Sequence, residues 1–192
     1  MNKNFESNSF PDLETKRLRL RDATMEDAEA VFAVFSDSKV TQFHDMDTLT
    51  RIDDAIKVIE RRKQGFESRR GIRWGIARKD GNYIIGSCGF TWIQDLNAAE
   101  VGYELGSRFW QQGIMSEALN AILKYAFETK ELEFIIAEII LENLASRKLL
   151  QKLGFRSQEV LEKHGFWKGK YHDLERFILN RAEFAENKSF AD

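Results

Sequence analysis

A chain of 192 residues fits one ordinary domain, able to bury roughly 70% of the surface that its unfolded form exposes. Apolar residues at 43% and aromatics at 12%, including 15 Phe and 4 Trp, supply a full core and exclude an intrinsically disordered chain. Lys and Arg number 29 against 31 Asp and Glu, a net charge of −2 interleaved along the chain, which argues against a protein that grips a nucleic-acid backbone.

The single cysteine, Cys88, cannot close an internal disulfide and leaves no thiolate zinc cluster, so a reducing, cytoplasmic setting is expected. The opening MNKNFESNSF has no apolar leader core, and no apolar run approaches the ~20 residues of a membrane span. Neither a membrane nor a nucleic acid is therefore an expected partner. Pro11 is the one proline, so no proline-rich linker divides the chain. One domain over residues 1–192 is expected, its core spanning about 15–180 between short tails.

Leu18 and Leu20 alternate with Arg17, Arg19 and Arg21, the period-two pattern of a first strand with one solvated face. Thr24 is placed to cap a helix, with Asp27 at the third position and Ala28, Val31, Phe32 and Phe35 along one face. Ile52, Ala55, Ile56 and Ile59 repeat that spacing in a second helix, whose Glu60, Arg61, Arg62 and Lys63 read as a solvated outer face. Ile72, Trp74 and Ile76 alternate in a strand that Asp80-Gly81 turns into a second, Tyr83 to Trp92. Ala99 to Leu105 make another strand, with Val101, Tyr103 and Leu105 on one face and Glu100, Gly102 and Glu104 on the other. Ile114 to Phe127 is helical, and the nearly all-apolar Phe134 to Leu141 predicts a central strand covered on both sides. Asn143 opens a short helix that Gly154 closes, and two last strands, Ser157 to Lys163 and Tyr171 to Leu179, join through Trp167-Lys168-Gly169. This order predicts an α+β, or mixed α/β, single-sheet domain rather than a bundle or a repeated βαβ array.

The join between the Ala99–Leu105 strand and the Ile114 helix reads GYELGSRFWQQGIMSEAL. A strand that runs through Gly113 into a helix leaves the first helical N–H groups unpaired and aimed at one point, where the helix dipole favours an anion such as phosphate. Any strand-to-helix loop can hold a glycine, so a plain connection is the alternative. No GxxxxGKS/T and no GxGxxG occurs, which removes the main support for a nucleoside triphosphate or a dinucleotide. Along Asn143 to Phe155, Ser146 shares a helix face with Leu149, Leu150 and Leu153, so its hydroxyl points inward and needs a partner. The alternative there is a cap alone, with Ser146 bonded back to Asn143.

Together the two stretches resemble the GNAT superfamily of acetyl-CoA-dependent N-acetyltransferases. Trp110-Gln111-Gln112-Gly113-Ile114-Met115 is similar to that family's Q/R-x-x-G-x-G/A pyrophosphate loop, and Asn143 to Phe155 to its N-x-x-S-x-x-x-L-x-K-x-G-F helix. The resemblance runs from about Thr15 to Leu179. Within the superfamily, EVGYEL, GIMSEAL and NLASRKLL look like the branch containing ribosomal-protein-alanine N-acetyltransferases. Trp110 and Met115 depart from the loop pattern, which leaves the phosphates to backbone N–H groups. Leu150 stands where many members carry the tyrosine that serves as general acid.

The resemblance implies a splayed, mostly antiparallel sheet of about seven strands with about four helices, opened between the Ala99–Leu105 and Phe134–Leu141 strands beside a bulge. It implies acetyl-CoA as cosubstrate, with no metal. Gln111, Gln112, Gly113, Met115 and Ser116 would supply pyrophosphate amides, Asn143 would bond the pantetheine arm, and the Leu105 N–H would bond the thioester carbonyl. Ser146 is the candidate for the departing sulfur, and Glu104 for the base, one residue before the bulge and on the face of Glu100; Glu138 is the second choice. The implied activity is direct acetyl transfer to a primary amine, first a protein N-terminal α-amine such as that of a ribosomal protein. A polyamine, amino acid or aminoglycoside is the alternative acceptor, and a non-catalytic acyl-CoA sensor the alternative role. The protein would act as a monomer or homodimer. The acceptor pocket is expected near Phe43 to Leu49 and the terminal hairpin, with Trp92, Trp110 or Trp167 at its mouth. His44, His164 and His172 lack metal-ligand spacing, although the last two could face each other across that hairpin, and Cys88 reads as a packing residue.

Overall fold

The computed structural model describes residues 9–93 and 96–189, the last three as backbone. In chain order it contains β1 (Leu13–Glu14), β2 (Leu18–Arg21), α1 (Ala28–Phe35), α2 (Ser38–Thr41), α3 (Ile52–Glu67), β3 (Gly71–Arg78), β4 (Ile84–Ile93) and β5 (Ala98–Leu105). Then come α4 (Ile114–Lys124), β6 (Phe134–Ile140), α5 (Leu144–Lys152), β7 (Arg156–Trp167), β8 (Lys170–Asn180) and α6 (Arg181–Ser189). The strands form one sheet in the order β1-β2-β3-β4-β5-β6-β8-β7. Every neighbouring pair is antiparallel except β5 and β6, so the expected α+β class and mostly antiparallel sheet are present.

Local sequence explains these elements. In β2, Leu18 and Leu20 are fully buried while Arg19 faces solvent. Thr24 and Asp27 form a reciprocal capping box, and the 3₁₀ turn it starts, Met25–Asp27, runs into α1. Two apolar layers sandwich the sheet. On one face α4 sets Met115, Ala118, Leu119 and Ile122 against Leu18, Trp74, Val101 and Leu105, with Leu150 and Leu153 of α5 beside them. On the other, α1 and α3 pack Val31, Phe35, Ala55 and Ile59 over Ala77 and Ile84. A fully buried Leu or Ile such as Leu119 or Ile122 contributes roughly 1.5–3 kcal/mol.

Three expectations need correction. The described residues hold eight strands and six α-helices, because the two-residue β1 and the four-residue α2 are too short to show a period, and residues 181–189 form α6 rather than a tail. β5 pairs with β4 in unbroken register from Gly86↔Leu105 to Ile93↔Ala98, so there is no bulge beside Glu104. The irregularity lies on β4, where Gly86 and Ile84 pair with the adjacent Ile76 and Ala77 and leave Ile85 over. The expected tails fall partly in residues 1–8 and 190–192, outside the described residues.

The splay itself is present. β5 and β6 are paired only at Ala98↔Phe134, Ala99↔Ile135 and Glu100↔Ile136, and no pairing continues beyond Glu100. The edge thus exposed can be read from the ladder. Gly106 N–H donates to the Ile85 carbonyl at 2.8 Å, and antiparallel bonding alternates, so Glu104 and Gly102 also bond to β4. Val101, Tyr103 and Leu105 therefore turn their N–H groups toward β6; that of Val101 closes the slanted Glu100↔Ile136 pair, and those of Tyr103 and Leu105 face the gap.

Candidate active site

Helix α4 begins at Gly113, whose φ of 70° is left-handed, and Gln111 before it also has a positive φ of 60°. The Glu117 N–H is the first bonded back into the helix, to the Gly113 carbonyl at 3.1 Å, so those of Ile114, Met115 and Ser116 have no intrahelical acceptor. Met115 buries its side chain in the core, leaving only its backbone for a ligand, while Gln111, Gln112 and Gly113 are exposed. Arg17 holds this loop. Its Nη1 donates to the Gln112 carbonyl at 2.9 Å and its Nε to Glu117 at 2.6 Å, while Glu117 also accepts from Thr15 Oγ1 at 2.6 Å. With the Gln112 carbonyl fixed toward Arg17, the Gly113 N–H on the same peptide plane points the opposite way.

At the other wall, Asn143 Oδ1 accepts from the Ser146 N–H at 3.1 Å and caps α5. Ser146 is half-buried, and Leu150 is fully buried in the core. Beside Ser146 lies Tyr103 of β5. Its hydroxyl is buried without a well-formed hydrogen bond, and burial pushes its pKa up to about 12 despite the nearby serine. In the loop after Leu105, the exposed Trp110 donates its Nε1 to the Leu105 carbonyl at 2.7 Å. That bond takes the carbonyl and leaves the Leu105 N–H facing the gap.

The opposite face of the sheet carries the charged groups. Glu104 is buried, bonded by Arg62 of α3 at 3.0 Å, by Arg73 of β3 and by the Ser87 hydroxyl. Burial would raise its pKa, but the two guanidinium charges outweigh that and hold it down at about 2. Glu104, the candidate base, is thus held as a carboxylate by two guanidinium groups and the Ser87 hydroxyl. Arg62 is corrected from the solvated face expected of it, its side chain being only 15% exposed. Glu100 is different. It opens to the cleft at the last paired position, and desolvation followed by the Glu138 charge raises its pKa above the ordinary 4.5. Glu138 accepts from Arg176 at 2.6 Å and lies 3.5 Å from His164.

The terminal hairpin closes the far side. Its tip residue Lys168 reaches the end of α2, and Trp167 stacks on His172 with ring centroids 4.3 Å apart. His172 sits opposite Gly165, so His164 and His172 do not face each other. Burial pushes the Cys88 thiol up to about 12, which makes it the packing residue expected of it. Among the described residues no group of His, Cys, Asp and Glu is arranged to hold a metal ion, and no helix is long and apolar enough to cross a membrane. The sequence reading singled out neither Arg17 nor Arg73, and took Tyr103 only as a strand residue.

An exposed strand edge beside an unpaired helix start is the geometry in which an extended pantetheine and its pyrophosphate can lie. Residues 17–156 match the Acetyltransferase (GNAT) domain family. The chain belongs to the GNAT acetyltransferases. It is 39% identical over 171 residues to the uncharacterized N-acetyltransferase YoaA of Bacillus subtilis, covering 88% of this chain and 97% of that one. It is 28% identical over 102 residues to the ribosomal protein uS5-alanine N-acetyltransferase of Escherichia coli, covering 52% of this chain and 53% of that one. Among solved structures, a GNAT acetyltransferase from Bacillus anthracis superposes with a TM-score of 0.80 at 23% identity, covering 90% of this chain and 99% of the other. The acetyltransferase described here shares that fold, and its activity is N-acetyl transfer.

Proposed function

We propose that this N-acetyltransferase transfers acetyl directly from acetyl-CoA to the N-terminal α-amine of a protein, as the name of the Escherichia coli relative describes for ribosomal protein uS5. The observation that carries the reading is the cleft at the splay. On β5 lie the unpaired N–H groups of Tyr103 and Leu105 and, at the last paired position, the Glu100 carboxylate; on β6 lies that of Glu138.

Acetyl-CoA supplies a thioester whose acyl carbon is open to an amine. Backbone N–H groups of Gln111, Gln112, Gly113, Met115 and Ser116 would hold its pyrophosphate, and the Asn143 side chain its pantetheine arm. The Leu105 N–H would donate a hydrogen bond to the carbonyl oxygen as its negative charge grows. Ser146 would donate a hydrogen bond to the departing sulfur, its hydroxyl backed by Tyr103 in the absence of a tyrosine at position 150. Glu100, whose raised pKa brings it closer to the working range of a base, would draw the ammonium into the cleft; it lies five residues, roughly 16 Å at strand rise, before Leu105, so the proton would reach it along a chain of waters. Glu104 would hold the Arg62 and Arg73 side chains in place.

The test is a panel of acceptors read by CoA release and by mass of the product. Peptides with a free N-terminal Ala or Ser should be acetylated on that nitrogen in preference to polyamines, amino acids and aminoglycosides. Exclusive turnover of a small amine would move the assignment to that class. Acetyl-CoA binding with no acceptor turned over would leave a sensor.

A further inference from the structure

The acceptor face of the sheet has an unused positive charge. Arg62 and Arg73 share one carboxylate, Glu104, and the neighbouring His44 is held neutral because desolvation lowers its pKa below 6.5. The mutual repulsion is felt: Arg62 has its own pKa lowered, first by burial, and the Arg73 charge adds to that. An excess guanidinium charge in a desolvated place is costly unless an anion meets it.

The sheet also steers that charge to the gap. Arg73, Gly89 and Gly102 lie side by side on β3, β4 and β5, since Arg73 pairs with Gly89 and Gly89 with Gly102. A Cβ at Gly89 would come within 2.9 Å of the Arg73 Cδ, and one at Gly102 within 2.8 Å of its Nη1. Two missing side chains thus make a flat channel along which the arginine crosses three strands. Its Nε donates to Ser87 at 2.8 Å and its Nη2 to Glu104, which leaves Nη1 over Gly102 at the edge of the splay. Glu138 stands across the gap on β6, with Arg176 shared between it and Glu159, and Glu100 lies two residues before Gly102 on β5 itself.

We propose that Arg73 is a specificity-determining residue, and that the acceptor is an amine carrying a carboxylate close by, the amine entering past Glu100 and Glu138 to the thioester and the carboxylate held at Arg73 Nη1. Gly102 and Leu105 are three residues apart on β5, so an amine at the thioester and a carboxylate at Arg73 lie within roughly 10 Å of each other. That spacing suits an acidic side chain in the first two residues of a peptide, and also a small amino acid. The inference rests on the acetyl-transfer site proposed above and specifies its substrate class.

Matched acceptor pairs test it. A peptide with Glu among its first two residues is compared with its Gln counterpart, and a free amino acid with its amide, each by kcat/KM at saturating acetyl-CoA. The carboxylate member of at least one pair should be favoured about tenfold or more, the size of a lost charged hydrogen bond. Which pair responds separates a peptide from a small amino acid. Gly102→Ala, which displaces only the tip of Arg73, and Arg73→Gln should both bring that ratio toward one; the first keeps the Glu104 partner if the second fails to fold. A ratio near one in the wild type overturns the proposal, as does a preference that survives both variants. Should no amine be turned over, the same pairs are titrated calorimetrically into the CoA complex. A carboxylate preference lost in Gly102→Ala keeps the anion site although the acetyl-transfer reading has failed, and equal or absent binding removes both.

Discussion

Lys168 Nζ donates to the Thr41 carbonyl at 2.6 Å, tying the tip of the β7–β8 hairpin to the end of α2 across 127 residues of sequence. The Thr41 hydroxyl in turn bonds Thr48 at 2.6 Å, so the hairpin, α2 and the following loop form one rim around the acceptor cleft. Removing this tie with Lys168→Met should raise the acceptor KM by roughly 3- to 10-fold, as for loss of a partly exposed charged hydrogen bond. Calorimetry should find acetyl-CoA affinity unaltered, because the pyrophosphate loop lies elsewhere.

At Gly113 the left-handed φ of 70° is the constraint, since a Cβ there would meet only Arg17 Nη2, at 3.6 Å. Gly113→Val should weaken CoA binding at least tenfold by forcing the helix start out of shape, with Gly113→Asn much milder because asparagine tolerates that conformation. Arg17→Ala should weaken CoA several-fold by freeing the Gln112–Gly113 peptide. Isothermal titration with desulfo-CoA reads these effects apart from catalysis.

Ser146→Ala should lower kcat by about 10- to 100-fold with little change in acetyl-CoA affinity, because the lost bond matters most as charge grows on sulfur. Tyr103→Phe should cost less. If the phenol acts through the serine, the double variant should be no slower than Ser146→Ala, and additive losses in a double-mutant cycle would show two independent roles.

The two acidic residues of β5 should separate by pH. Glu100→Gln should remove the acidic limb of kcat/KM, a limb lying above the ordinary carboxylate value of 4.5 because the Glu100 pKa is raised. Glu104 has a lowered folded pKa of about 2, so its contribution to stability is complete above 4.5 and is lost as pH falls from there toward 2. Glu104→Gln should therefore flatten the acid-unfolding curve over that window. At neutral pH it should cost about 3–5 kcal/mol by leaving two guanidinium groups unpaired. Urea titrations at a series of pH values check both signs.

Much of this arrangement was legible in order and period. The alternation that put Val101, Tyr103 and Leu105 on one face of β5 also decides which N–H groups meet the gap, and Asn143 was readable as a cap from its place before α5. Arg62 was misread as solvent-facing although it lies three residues after Ile59 and seven after Ala55, on the buried stripe of α3. Its charge argued for the surface, while its spacing argued for the interior. The surroundings of Glu104 were hidden for the same kind of reason: its proton affinity is set by neighbours 31 and 42 residues away, which no local pattern contains. The Arg73–Gly89–Gly102 channel needs the register of three strands before its glycines line up.

The splay has a mechanical consequence. Beyond the three residue pairs at 98–100 and 134–136, the β5–β6 ladder stops, and the apolar core rather than strand pairing holds β1–β5 to β6–β8 there. A cosubstrate lying along the Tyr103–Leu105 edge would act as a splint across that seam. Melting temperature should then climb with CoA concentration, as mass action requires of a ligand that binds only the folded chain. Amide exchange on β5 and β6 should slow most at the split ends. The resistance of this enzyme to heat and proteolysis would follow the acetyl-CoA supply of its surroundings.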